Sequence, residues 1–271
     1  MSDLLTRSSH SLILQSFKSR EREEPLNGDG FGVGWYAHEL DLNPGLFTSV
    51  RPAWANRNLL RLAPKIRSGC FFAHVRAASP GSPVTELNCH PFQAGRFLWM
   101  HNGHIAGFKR LRRHLREFLC DEAYDEICGT TDSEHAFALF LHFLRKHRED
   151  YELENLQRAL RDTIRKIDRL AADIDASGPS ELNFALTDGQ NLLATRYTTD
   201  PGVKPQTLYV AQGERLEVQD GHYRMIRGGQ ATDAVIIASE PLTDAMDDWH
   251  CVPSNHMVSV SPELHVRMEA L

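Results

Sequence analysis

The sequence predicts an α+β protein of stacked sheets with helices outside them. Short apolar runs rich in β-formers lie before residue 102 and after residue 182. Helical periodicity is gathered at 56–66, 108–119 and 131–175. Strands and helices therefore come in blocks, without regular strand–helix–strand alternation.

FGVGWYA at 31–37 reads as a strand opened by the glycine-rich turn NGDG at 27–30. CFFAHVR at 70–76 and RFLWMHN at 96–102 read as further strands, with a short helix, NRNLLRLAPKI at 56–66, before them. FKRLRRHLREFL at 108–119 carries leucines at 111, 115 and 119 with arginines between them, an amphipathic helix with a solvated basic face. A long helical pattern starts at Thr131, pauses near Glu149–Asp150 and resumes to about residue 175. Thr131 and Glu134 fit a capping box at its start. LNFALTDGQNLLATRY at 182–197 is a hairpin around Asp188-Gly189, and TLYVA at 207–211 and AVIIAS at 234–239 are short strands. SGPSE at 177–181 is too short for a domain boundary, so 1–271 is expected to be a single domain.

The chain has 271 residues, 41% of them hydrophobic, and a net charge of −6, which does not favour nucleic acid as a partner. No apolar run reaches the length of a membrane span. Five scattered cysteines without CxxC spacing read as reduced thiols in a cytoplasm. Fourteen histidines invite a metal reading, but there is no HExxH and no paired Cys/His set, so no metal site is expected. Histidines satisfying local hydrogen bonds are the simpler account.

Three segments carry chemistry: AHVRAAS at 73–79, HNGHI at 101–105 and TTDSE at 130–134. Arg76 ends an apolar strand, where a guanidinium can take a carboxylate in bidentate fashion or form a structural salt bridge. Asn102 and Gly103 offer a side-chain amide and a backbone N–H, a donor pair for an oxyanion, although an Asn-Gly pair is also an ordinary turn. Asp132 can hold an ammonium, or simply favour a helix dipole. An Arg for a carboxylate and an Asp for an ammonium together describe recognition of an α-amino acid head.

HSLILQS at 10–16, NGDGFGVGWY at 27–36, NCHPF at 88–92 and ASEPL at 238–242 join these three in an ordered set. The set resembles the class II, N-terminal nucleophile glutamine amidotransferases, and within them the stand-alone members that remove γ-glutamyl groups in ergothioneine synthesis or glutathione breakdown. The resemblance implies a four-layer αββα sandwich with two central antiparallel sheets. It implies that Arg76 binds the α-carboxylate of the glutamyl group, that Asp132 binds its α-ammonium, and that Asn102 and the Gly103 N–H form the oxyanion hole. Ser79 falls where relatives often have a substrate-contacting threonine. No cofactor is implied. The small-molecule partner is glutamine or a γ-glutamyl compound, and an acceptor or partner subunit is a further expectation.

Two departures matter. Ala77 and Pro80 replace a tryptophan and a histidine of the sugar-amidating relatives. Relatives also begin Met-Cys-Arg followed by a strand, the cysteine being the nucleophile and its α-amino group the base. Here the matching region begins at about SDLLTRSSHSL. Ser2 is only eight residues from His10, too close for that strand, and Cys89 has no free amine beside it. The expectation is a γ-glutamyl amidohydrolase fold that lacks the family's first strand and is inactive as written. The alternative is a non-catalytic γ-glutamyl ligand-binding or regulatory protein.

Overall fold

The structure is a computed structural model that describes residues 1–21, 26–78, 82–147, 150–219, 222–226 and 232–271. A π-helical turn, Asp3–Arg7, precedes α1 (Leu12–Gln15), β1 (Phe31–Ala37), β2 (Asp41–Ser49), α2 (Arg57–Leu62) and β3 (Phe71–Val75). β4 (Phe92–Ala94) and β5 (Phe97–His104) lead into α3 (Phe108–Phe118), α4 (Asp121–Tyr124), α5 (Asp132–His147) and α6 (Leu153–Asp173). β6 (Glu181–Thr187), β7 (Leu192–Arg196), β8 (Tyr209–Gly213), β9 (Arg215–Gln219) and β10 (His222–Ile226) follow. The chain ends with β11 (Ala234–Ala238), β12 (His250–Cys251), β13 (His256–Val260) and β14 (Val266–Ala270).

These elements stack in four layers, as the αββα expectation requires. One central layer is a six-stranded antiparallel sheet in the order β14-β13-β7-β6-β5-β4. Its outer face packs on α3, α5 and α6 through Trp99, Phe184, Leu186, Phe137, Phe140, Leu160 and Ile167. Each such side chain, once buried, contributes about 1.5–3 kcal/mol. Trp99 stacks on Phe137 with ring centroids 5.5 Å apart. α5 is apolar around most of its circumference because α3, α4, α6 and β5 surround it. The basic helix α3 keeps Leu111 and Leu115 fully buried.

The other central layer differs from a single sheet. It is divided into β2-β1-β3 and β11-β8-β12, each antiparallel. β3 pairs only with β1, and β11 only with β8, among the described residues. Their other edges face a cavity instead of each other: every residue from Gly69 to Ala78 and from Val235 to Glu240 lines it. A strand with one face on a cavity would line it at alternate residues, so contiguous lining marks an open edge. The π-helical turn crosses the outside of this division, with Leu5 packed on the β1–β3 side and Leu4 on the β8–β11 side.

β1 lies close against the six-stranded sheet because its inward positions are glycines. A Cβ at Gly34 would sit 2.6 Å from Leu98, far inside contact distance. Phe31, Val33 and Trp35 point the other way, onto α1, α2 and the N-terminal turn.

Several local expectations are corrected. Asn102 and Gly103 are not a hairpin turn; they lie within β5 and pair with Asn183 and Leu182 of β6. The other side of β5 is open there because β4 covers only Phe97–Trp99. The capping box is half formed: the Glu134 N–H donates to Thr131 Oγ1 at 3.2 Å, but the Glu134 carboxylate accepts from Cys128 and Gly129 N–H instead. Between the expected strand at 31–37 and helix at 56–66 lies β2, and between the expected strands at 207–211 and 234–239 lie β9 and β10, none of which the sequence predicts.

Candidate functional site

A cavity of about 1360 Å³ occupies the space between the central layers. Arg76, Asn102, Gly103 and Asp132 all line it, although up to 56 positions separate them in sequence. Ser79 lies outside the described residues.

Arg76 directly follows β3 and is 4% exposed. Its backbone is clamped by the turn that opens β1: Arg76 N donates to Gly30 O at 2.8 Å and Asp29 N donates to Arg76 O at 2.9 Å. The Asp29 carboxylate accepts from Ala78 N at 2.8 Å. The guanidinium donates to Ser82 Oγ at 3.1 Å and to the Asp29 and Pro83 carbonyls at 3.4 Å. These acceptors are uncharged, and no ion pair engages Arg76 among the described residues, so its charge is available to an anion in the cavity.

Asn102 shares the inward face of β5 with Leu98 and Met100, which contact the opposite layer. Gly103 has φ +137°, and a Cβ there would meet the Glu181 carbonyl oxygen at 2.1 Å. Only glycine suits this position, and the β5–β6 pairing depends on it. His101 faces the helices. Its Nε2 donates to Glu181 O at 3.0 Å, which leaves Nδ1 to accept from Ser133 Oγ at 3.0 Å. Burial keeps its pKa below the usual histidine value, in line with a neutral ring.

Asp132 opens α5. Its Oδ2 accepts from Ile105 N at 2.8 Å, just past the end of β5, and its Oδ1 from Ser133 N at 2.9 Å. The helix start and the Asn102–Gly103 segment are thus tied together on both flanks of the donor pair.

Sequence reasoning missed two residues that shape this region. Asn88, buried in the NCHPF stretch, donates to Pro83 O at 3.0 Å and to Thr130 Oγ1 at 3.2 Å, and accepts from Thr130 N at 3.0 Å. It connects the loop under Arg76 to the approach to Asp132. His90, two residues on, lines the cavity and packs against His74 with centroids 4.4 Å apart and the rings inclined at 51°. The NCHPF pattern pointed to this place in the chain but assigned the two side chains no role.

Other groups considered as nucleophiles stand away from the donor pair. Ser2 is buried but does not line the cavity. Cys89 is buried with its thiol toward the Ser49 and Thr85 carbonyls. Cys70 lines the cavity at the opposite end of β3 from Arg76, and burial pushes its thiol pKa up. Ser133 has a basic partner in His101, but on the helix side of the sheet, away from the Asn102 side chain. Among the described residues no three His, Cys, Asp or Glu side chains cluster as a metal site.

A two-layer antiparallel core flanked by helices defines a class of fold that known proteins share. The class II glutamine amidotransferase family model matches residues 1–267, and the chain belongs to that family. It is 40% identical to the Saccharomyces cerevisiae protein named "Probable glutamine amidotransferase DUG3", over 97% of this chain and 78% of the relative. It is 29% identical to the Mycobacterium tuberculosis gamma-glutamyl-hercynylcysteine sulfoxide hydrolase, over 96% of this chain and 88% of the relative. A solved glutamine aminotransferase class-II domain protein from Silicibacter pomeroyi superposes with a TM-score of 0.65 at 30% identity, covering 89% of this chain and 91% of that one. The glutamine phosphoribosylpyrophosphate amidotransferase of B. subtilis shares the fold, with a TM-score of 0.53 at 14% identity over 90% of this chain and 43% of its own.

Proposed function

We propose that the cavity binds the glutamyl head of glutamine or of a γ-glutamyl compound, in the manner of a γ-glutamyl amidohydrolase. Arg76 takes the α-carboxylate and Asp132 the α-ammonium. The Asn102 amide and the Gly103 N–H face the γ-carbonyl oxygen, where charge develops when the amide is attacked. Ser79 is retained as a substrate contact on the sequence argument alone. The observation that carries this reading is the placement of a buried cation with no ion pair among the described residues, a donor pair and a helix-start carboxylate around one cavity. The 29% identical hydrolase named for a γ-glutamyl substrate supports it. The five free thiols fit a reducing compartment.

For the 271-residue chain we propose binding without turnover. Amide hydrolysis requires a nucleophile activated by a neighbouring base. Cys70 and Ser133 are the cavity-lining candidates discussed above, and neither stands beside the donor pair. The second reading, a γ-glutamyl binding or regulatory protein, rests on the same observation. An acceptor or partner subunit would give either reading a recipient.

Titration calorimetry with L-glutamine and glutathione, alongside ammonia and glutamate release assays, tests both statements. Binding that Arg76→Ala weakens by about 10-fold or more is expected, the loss of a charge-assisted contact. Absence of binding sinks the site. Turnover that vanishes in Ser2→Ala transfers the nucleophile's role to Ser2.

A further inference from the structure

His90 is 5% exposed and lines the cavity, yet neither ring nitrogen has a hydrogen-bond partner among the described residues. Its ring is held between His74, at 4.4 Å, and the edge of Phe92, at 4.8 Å. The β4–β5 ladder starts at Phe92, paired with Trp99, and His90, two residues earlier, lines the same cavity as Asn102. A buried imidazole with both nitrogens unpaired forfeits two hydrogen bonds unless something in the cavity supplies them.

We propose that His90 is a ligand-contacting residue that pairs with the γ-amide of the bound glutamyl compound and makes the site prefer amide over free acid. The inference rests on the glutamyl reading of the cavity. Desolvation, helped by His74, His101 and the Arg76 guanidinium, holds His90 well below the usual histidine pKa, so the ring is neutral. A neutral imidazole presents one N–H and one lone pair. The two ring nitrogens diverge, so one amide meets only one of them: its N–H donates to the imidazole lone pair, and its carbonyl oxygen keeps both lone pairs for Asn102 and the Gly103 N–H. A carboxylate offers only acceptors and strands the imidazole lone pair.

The test is calorimetric titration of L-glutamine and L-glutamate into the wild-type chain and into His90→Gln, His90→Phe and His90→Leu, with a melting temperature for each variant. The wild type is expected to bind glutamine about 10-fold more tightly than glutamate, the worth of one well-placed buried hydrogen bond. His90→Gln, which keeps a donor and an acceptor, retains most of that preference. His90→Phe and the smaller His90→Leu bind the two ligands within about 2-fold of each other, with glutamate affinity unchanged. If either apolar variant keeps the wild-type preference, water satisfies the ring and the proposal is overturned. If His90→Gln weakens both ligands as much as the apolar variants do, the role is packing and the proposal is overturned. Equal wild-type affinity for the two ligands overturns the role of His90 alone. No wild-type binding of either overturns the glutamyl site and this inference with it.

Discussion

Arg76 and Asn88 share one hydrogen-bond acceptor, the carbonyl oxygen of Pro83, at 3.4 Å and 3.0 Å. Asn88 also holds Thr130, two residues before Asp132. The proposed carboxylate and ammonium contacts are therefore positioned by one buried amide. Asn88→Ala strands the Thr130 N–H and should cost about 1–3 kcal/mol of stability. It should also weaken glutamine binding, although Asn88 is not assigned a ligand contact. Urea unfolding with parallel calorimetry checks both, and an unchanged affinity would show that the two ends of the site are set independently.

Asp132 combines a structural bond with a proposed charge contact, and two substitutions separate them. Asp132→Asn keeps one oxygen for Ile105 N–H, gives up the bond from Ser133 N–H and removes the charge. Its stability should fall by less than that of the alanine variant while glutamine affinity falls by about 10-fold or more. Asp132→Ala loses both and should also lose about 1–2 kcal/mol of stability. Equal ligand affinity in Asp132→Asn and wild type would remove Asp132 from the binding site.

Gly103→Ala should be severe. The added Cβ lies 2.1 Å from the Glu181 carbonyl oxygen at a φ of +137°. The β5–β6 ladder has to separate locally, and a loss of about 3 kcal/mol or more is expected. An alanine variant that unfolds at the wild-type urea midpoint would contradict this geometry.

Acid should destabilise the protein through its buried histidines. His135 donates from Nδ1 to Thr131 O at 2.7 Å and accepts from Arg116 Nε at 2.9 Å, so protonation breaks the second bond. Burial, aided by Arg116 and Arg112, lowers its pKa from 6.5 to about 4. The unfolded state binds the extra proton first, so this stability is whole above about pH 6.5 and is lost as pH falls toward about 4, below which the loss is complete. The contribution is about 3 kcal/mol. Urea midpoints near pH 7 and near pH 5 should differ less in His135→Gln than in wild type; equal differences would rule out His135 as a source.

Hydrogen exchange should reveal the open strand edges. Alternate amides of β3 and β11 point toward the cavity and should exchange about 100-fold faster than those of β1 and β8, which have a partner on each side. Uniform protection across all four strands would mean that the two edges are closed in solution.

The legible parts of the chain were those whose side chains announce burial. FGVGWYA, CFFAHVR, LNFALT and AVIIA read as strands because they are apolar and rich in β-formers. β2 was missed because it is an exposed edge strand carrying Pro44 and Gly45. β14 was missed because its residues, VRMEA, are mostly exposed and present no periodic apolar face. At the candidate site, Arg76, Asn102, Gly103 and Asp132 were found through residue chemistry and an ordered motif set. Asn88 and His90 were not, because a shared acceptor and an unpaired ring exist only in three dimensions.

The division of the inner layer gives the cavity one stiff wall and one compliant wall. Asn102, Gly103 and Asp132 belong to the stiff wall: a continuous six-stranded ladder backed by α5, where any displacement is resisted by hydrogen bonds running across the whole sheet. Arg76 belongs to the compliant wall. It stands at the end of a three-stranded unit that is bridged to its neighbour by the Leu4–Leu5 crossing, with no backbone ladder between them among the described residues. The distance between the charge-binding arginine and the donor pair is therefore the softest dimension of the site, and a ligand that spans it is also a strut that fixes the spacing of the two walls.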